Sequence, residues 1–162
     1  MCESWSEQIN GVEPLYQHIL VGTDGSVTAA RAVQHAIGLA KCHHADLHVV
    51  SVNKDITVLA TAAGVPSGAE LVSSGLNDDA NELLSGVVEE AKQAGVEATA
   101  HVLTGQPSDE ICKLARNLDV DLIVIGNRGM QSLIRFLWDP IPDTISHHAP
   151  CSVLIVDTRP KN

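Results

Sequence analysis

The stretch LIVIGNRGMQSLIRFLWDPIP, Leu122 to Pro142, decides the fold. Its first four residues, Leu122 to Ile125, are an apolar run with no polar break, which predicts a strand covered on both faces. Such strands belong to parallel sheets whose crossover helices lie on either side. Gly126 and Gly129 follow at once, a spacing that lets backbone N–H groups approach an anion where a helix starts. Ten residues after Gly129, where a phosphate loop wants more glycine and a hydroxyl, the chain has Asp139 and Pro140.

Working outward, His18 to Thr23 (HILVGT) is a short apolar run ended by Gly22 and Gly25, and an alanine-rich helical stretch follows from Ser26 to about Cys42. Leu47 to Val52 is a second β-rich run. Leu76, Ala80, Leu83, Leu84, Val87, Val88 and Ala91 recur at helical spacing, with Asp78, Asp79 and Glu82 in the first turns and Gly95 past the end. Val96, Ala98, Ala100 and Val102 alternate with polar residues, which predicts a strand near a sheet edge with one wet face. Ser108 is positioned to cap a helix carrying Ile111, Leu114, Ala115 and Leu118. Ser152 to Val156 reads as a last buried strand. The alternation of strand and helix predicts an α/β fold: a single doubly wound, five-stranded parallel sheet in the order 3-2-1-4-5, helices on both faces. The crevice of such a sheet opens beyond the carboxyl ends of strands one and four, and both glycine-bearing turns fall there.

At 162 residues the chain is long enough for one domain with a substantial core. Residues 1–16 read as an N-terminal extension, 17–158 as the domain with a variable loop at 53–75, and 159–162 as a tail. With 10 Lys+Arg against 20 Asp+Glu the net charge is -10, which argues against nucleic acid as a partner. No apolar run approaches the roughly 18 residues of a spanning helix, so no membrane partner is expected. The expected location is cytoplasmic. Cys2, Cys42, Cys112 and Cys151 are widely spaced without a CxxC pair, which fits reduced thiols better than a disulfide framework. Neither Cys42-His43-His44 nor His147-His148-Ala149-Pro150-Cys151 has zinc-ligand spacing, so no metal site is expected. No spacing marks a nucleophilic catalytic set.

The turn Thr23-Asp24-Gly25-Ser26 places a carboxylate at the crevice mouth, where it either accepts hydrogen bonds from ribose hydroxyls or simply starts a helix. Taken together, VGTDGS after the first strand, GxxG after the fourth, and the ending ISHHAPCSVLIV resemble the universal stress protein family over roughly residues 17–157. The resemblance implies a non-enzymatic cytoplasmic α/β protein acting in survival under stress, slow ATP hydrolysis remaining open. It also implies a homodimer paired through the last strand, Ser152 to Val156. Many members bind ATP through G-x2-G-x9-G-[S/T] after strand four. On this pattern Gly126 and Gly129 are nucleotide-binding candidates with Arg128 between them. Asp24 matches the ribose-contacting acid, Thr23 beside it is a further nucleotide-binding candidate, and Val52 lies where family members contact adenine through backbone.

Asp139 replaces the third glycine of that pattern and Pro140 replaces its hydroxyl residue. Proline has neither N–H nor hydroxyl to offer phosphate. Two lost hydrogen bonds to a charged group forfeit roughly 3–6 kcal/mol, and Asp139 adds a like charge. A micromolar ATP site altered in this way falls to millimolar or worse, at about 1.4 kcal/mol per factor of ten. Asp139 and Pro140 also suit the N-cap and first position of a helix over 139–148, a helix carrying its own anion where relatives place a phosphate. An adenine nucleotide with fewer phosphates, AMP or cyclic AMP, is then the expected ligand. In the rival reading Asp139 holds Mg²⁺ of bound ATP while Arg128 or Arg135 neutralises the rest. A third reading is a dimeric interaction module that binds no nucleotide.

Overall fold

The computed structural model describes residues 15–53, 69–127 and 141–158, with side chains from residue 75 onward in the second segment. The elements run β1 (His18–Gly22), α1 (Val27–His43), β2 (Asp46–Asn53), α2 (Ala69–Gln93), β3 (Ala98–Thr104), α3 (Pro107–Asn117), β4 (Leu122–Gly126), α4 (Ile141–His148) and β5 (Ser152–Val156). All four strand pairings are parallel, and the order is β3-β2-β1-β4-β5. This is the sheet expected from the sequence, with β1 at its centre.

Alternation along the strands sends side chains to two separate cores. Ile19, Val21, Val49 and Val124 face α1 and α2, while Leu20, Val50, Ile123 and Ile125 face α3 and α4. Each such aliphatic residue contributes about 1.5–3 kcal/mol on full burial, and β1 and β4 contribute to both cores. Ser26 caps α1, its Oγ accepting the Ala29 N–H at 3.1 Å. The buried face of α1 carries Ala29, Ala32, Val33, Ala36, Ile37 and Ala40, a stripe whose small residues seat the helix close to the sheet.

Four expectations change. The helix read from Leu76 begins at Ala69, so residues 69–75 of the expected loop are helical and Asp78 and Asp79 lie well inside α2. Serine or glycine inside a helix costs about 1 kcal/mol or less each, which the packing of Ala80, Leu84, Val87 and Ala91 outweighs. Residues 54–68 lie outside the described residues. Ser108 does not cap α3: Gln106 is the N-cap and Pro107, with its φ already helical, sets the start, leaving Ser108 buried within the first turn. β5 is not a buried strand, since Val156 alone of its residues is fully enclosed and Ile155 is 43% exposed. Among the described residues it closes the sheet on that side and has a neighbour only in β4. Finally, Cys42 is disulfide-bonded, where a reduced thiol was expected. It is exposed near the end of α1 and so accessible to a second sulfur, whereas the free Cys112 is buried and Cys151 half-buried.

Candidate functional site

The carboxyl ends of β2, β1 and β4 do not stop level with one another. Gly22 pairs with Val50 and Val21 with Val124, and β1 leaves the sheet immediately afterwards. β2 continues to Asn53 and β4 to Gly126. β2 and β4, which run on past it, therefore stand on either side of a gap above the end of β1, about 10 Å apart by two strand spacings.

Backbone alternation decides which peptide groups face that gap. The Val50 carbonyl points to β1, accepting the Thr23 N–H at 2.9 Å, while the Asn53 carbonyl points the other way and accepts the Gly105 N–H at 2.8 Å. Val52 is two residues from Val50 and so turns its N–H and C=O to the β1 side, beyond the point where β1 has gone. On β4, the Asn127 N–H goes to the Val156 carbonyl on the β5 side at 2.9 Å. By the same alternation the Gly126 carbonyl faces β1. Peptide groups of Val52 and Gly126 thus line opposite walls of one crevice, able to donate to and accept from the edge of a flat heterocycle.

The floor is the turn from β1 into α1. Thr23 is buried, Asp24 and Gly25 exposed. Gly25 N–H donates to Thr23 Oγ1 at 3.3 Å, and Ser26 N–H to Asp24 Oδ1 at 3.0 Å. Asp24 is therefore held by the local turn, one oxygen fixing the start of α1. Gly25 has φ 74°, and a Cβ there would stand 3.1 Å from Leu83 Cδ2 on α2, so both conformation and space select glycine. The positive end of the α1 dipole opens onto the crevice. A separate recess of about 70 Å³ between α1 and α2, lined in part by Thr23, Ser26, Leu83 and Glu90, is far below the 300–1,000 Å³ or so of small-molecule sites.

The family model described as the universal stress protein family matches residues 15–157. The chain belongs to the universal stress protein family. It is similar to a universal stress protein of Methanocaldococcus jannaschii, 34% identical over 155 residues that cover 94% of this chain and 88% of that protein. Among solved structures it is similar to a universal stress protein in complex with cAMP, at 27% identity and a TM-score of 0.64 over 89% of this chain and 98% of that one. A likeness of fold extends to the Archaeoglobus fulgidus universal stress protein in complex with dAMP, at 24% identity and a TM-score of 0.60, covering 87% and 98% of the two chains.

Of the residues the family pattern marks, the structure brings Thr23, Asp24, Val52 and Gly126 to one crevice. Arg128, Gly129, Asp139 and Pro140 lie outside the described residues; the helix read over 139–148 is described from Ile141. Among the described residues no three or more His, Cys, Asp or Glu side chains gather as a metal site, and no helix is long and apolar enough to cross a membrane. His148 Nδ1 is 2.9 Å from the Thr144 carbonyl, one turn back on its own helix.

Sequence reasoning missed Asn127 and Asn53. Asn127 Oδ1 accepts both the Thr158 N–H (3.0 Å) and hydroxyl (2.8 Å), while its Nδ2 donates to Asp157 Oδ1 at 3.0 Å. The first residue of the loop after β4 is in this way tied to the exit of β5. Asn53 does the same work on the other wall, its Nδ2 donating to the Leu76 carbonyl (3.1 Å) and Asn77 Oδ1 (2.9 Å) on α2. Asparagine at a strand end or in a turn is an ordinary residue there, so only the fold shows these roles.

Proposed function

We propose that this protein is a non-enzymatic member of the universal stress protein family whose crevice takes the adenosine part of an adenine nucleotide and accepts a triphosphate poorly. The observation that carries the reading is the pair of walls formed by the peptide groups of Val52 and Gly126 above the Thr23-Asp24 turn. The similar protein in complex with cAMP supports it. The weak triphosphate end is argued from sequence: Asp139 and Pro140 stand where the family pattern asks for glycine and a hydroxyl. In this assignment Val52 meets the base, Asp24 the ribose, Thr23 shapes the floor, and Gly126, Arg128 and Gly129 approach the phosphate.

Calorimetric titration with AMP, cyclic AMP and Mg-ATP tests it. Micromolar binding of AMP or cyclic AMP with Mg-ATP at least tenfold weaker is the expected result, about 1.4 kcal/mol or more apart. Micromolar Mg-ATP that weakens on Asp139→Asn would instead favour Mg²⁺ held at Asp139. Binding of none of the three would favour an interaction module. The proposed assembly is a homodimer through β5, supported by the exposure of Ile155. A cytoplasmic location accompanies the family reading and has to accommodate the disulfide at Cys42.

A further inference from the structure

Three histidines far apart in sequence form a row across the sheet on the face that carries Leu20, Val50 and Ile123. His18 stands on β1, His48 on β2 and His101 on β3. The His18 and His48 rings are 6.2 Å apart, and the His48 and His101 rings 5.3 Å. His48 Nδ1 and His101 Nε2 are in hydrogen-bond contact at 3.2 Å across the β2–β3 seam. Such a contact between two imidazole nitrogens needs one proton: one ring donates and the other accepts. With both rings protonated both nitrogens are donors, and the contact becomes repulsive.

The surroundings offer little to offset that second charge. On β1, His18 Nδ1 is buried with no hydrogen-bond partner among the described residues, with Asp46 Oδ2 of β2 3.8 Å away. Asp121, before β4, spends Oδ2 on the Gln17 and His18 N–H groups. On α3, which packs on β2 and β3, Cys112 is the titratable residue turned fully inward. Asp109, Lys113 and Arg116 are exposed, and half-buried Glu110 is paired with Lys113. On α4, Asp143, His147 and His148 are exposed. Burial first, then His101 and His18, hold His48 below the ordinary histidine range, with Asp46 opposing; burial alone does so for His101.

We propose that this row is a proton-operated release on edge strand β3: neutral, it joins β2 to β3, and on acidification His48 and His101 become cations that push the edge strand off. The seam ends at the Asn53–Gly105 bond, next to Val52, so loosening it reaches the wall of the crevice. The device does not depend on whether a nucleotide binds.

The sign follows from linkage. A histidine held below its unfolded value binds fewer protons folded than unfolded, so its contribution is intact above about pH 6.5 and is lost as pH falls through the lower folded value. Histidine ring NMR titration of the full chain should give midpoints for His48 and His101 below that of a free histidine. Hydrogen-exchange protection of Leu103 and Gly105, whose N–H groups point across the seam to β2, corrected for intrinsic rates, should fall at least about tenfold relative to Val124 between about pH 7.5 and 5.5. His101→Gln should raise the His48 midpoint and flatten the pH dependence of protection, and His48→Gln should flatten it equally. Ordinary, independent midpoints with unchanged β3 protection in the wild-type chain would overturn the proposal, as would full pH dependence in either variant.

Discussion

At one edge of the sheet β3 turns Thr99, Ala100 and Thr104 to solvent, and at the other β5 leaves Ile155 43% exposed with Val153 and Leu154 only partly covered. Among the described residues both strands pair on one side only. An unpaired edge is a template for another strand unless polar or charged groups blunt it. β3 has that protection and β5 lacks it. The contrast fits the two proposals made above: a β3 edge that responds to its solvent and a β5 edge that is covered in a dimer.

The sharpest way to break this contrast is to show that the edges, not the centre, hold the domain together. Ile123→Ala on β4, fully buried in the α3/α4 core, should cost about 2–5 kcal/mol in urea unfolding. Ile155→Ala in dilute, monomeric protein should cost much less. Equal losses would abolish the distinction between centre and edge.

Next in size is the effect on assembly. Ile155→Lys should weaken self-association at least about a hundredfold, near 3 kcal/mol, measured by sedimentation, whereas Thr99→Lys on β3 should leave it unchanged. Dissociation by the second substitution and not the first would reverse the roles of the edges.

The smallest effect concerns how β5 is fastened. Asn127→Ala strips the Thr158 N–H and hydroxyl, in a residue that is 2% exposed, of their acceptor. The expected loss is about 1–3 kcal/mol, with the amides after Val156 exchanging faster than those of β4. Unchanged exchange there would mean that the ladder to β4 alone holds this edge.

These features differ in how legible they were in the sequence, and the reason is range. The unbroken run Leu122 to Ile125 and the turn from Gly22 to Ser26 are local patterns, and with the right-handed crossover rule they led to the observed strand order. The start of α2 was hidden because Ser73, Ser74 and Gly75 look like punctuation, and packing further along the helix overrides it. Ser108 had the chemistry of a cap, but Pro107 beside it had the stronger geometric preference. Thr23, Asp24 and Gly126 were candidates because of the turns that leave β1 and β4, and Val52 only through the family resemblance; the fold brings the four to one crevice. The Asn127–Thr158 tie spans 31 residues and the His48–His101 contact 53, and neither leaves a periodic trace. The exposure of Ile155 was missed although the predicted order put its strand outermost, since the unbroken apolar run SVLIV reads as buried.

The central position of β1 also has a temporal consequence. His18 and Asp121, joined where β1 meets β4, are 103 residues apart in the chain, so this pairing closes a very long loop and comes with a large entropic delay. β1, α1 and β2 can associate early through neighbouring sequence, but the wall containing Gly126 arrives only after the distant segment has docked. A chain emerging from the ribosome carries the Thr23–Ser26 turn long before it carries a crevice, and the binding geometry is among the last things the molecule acquires.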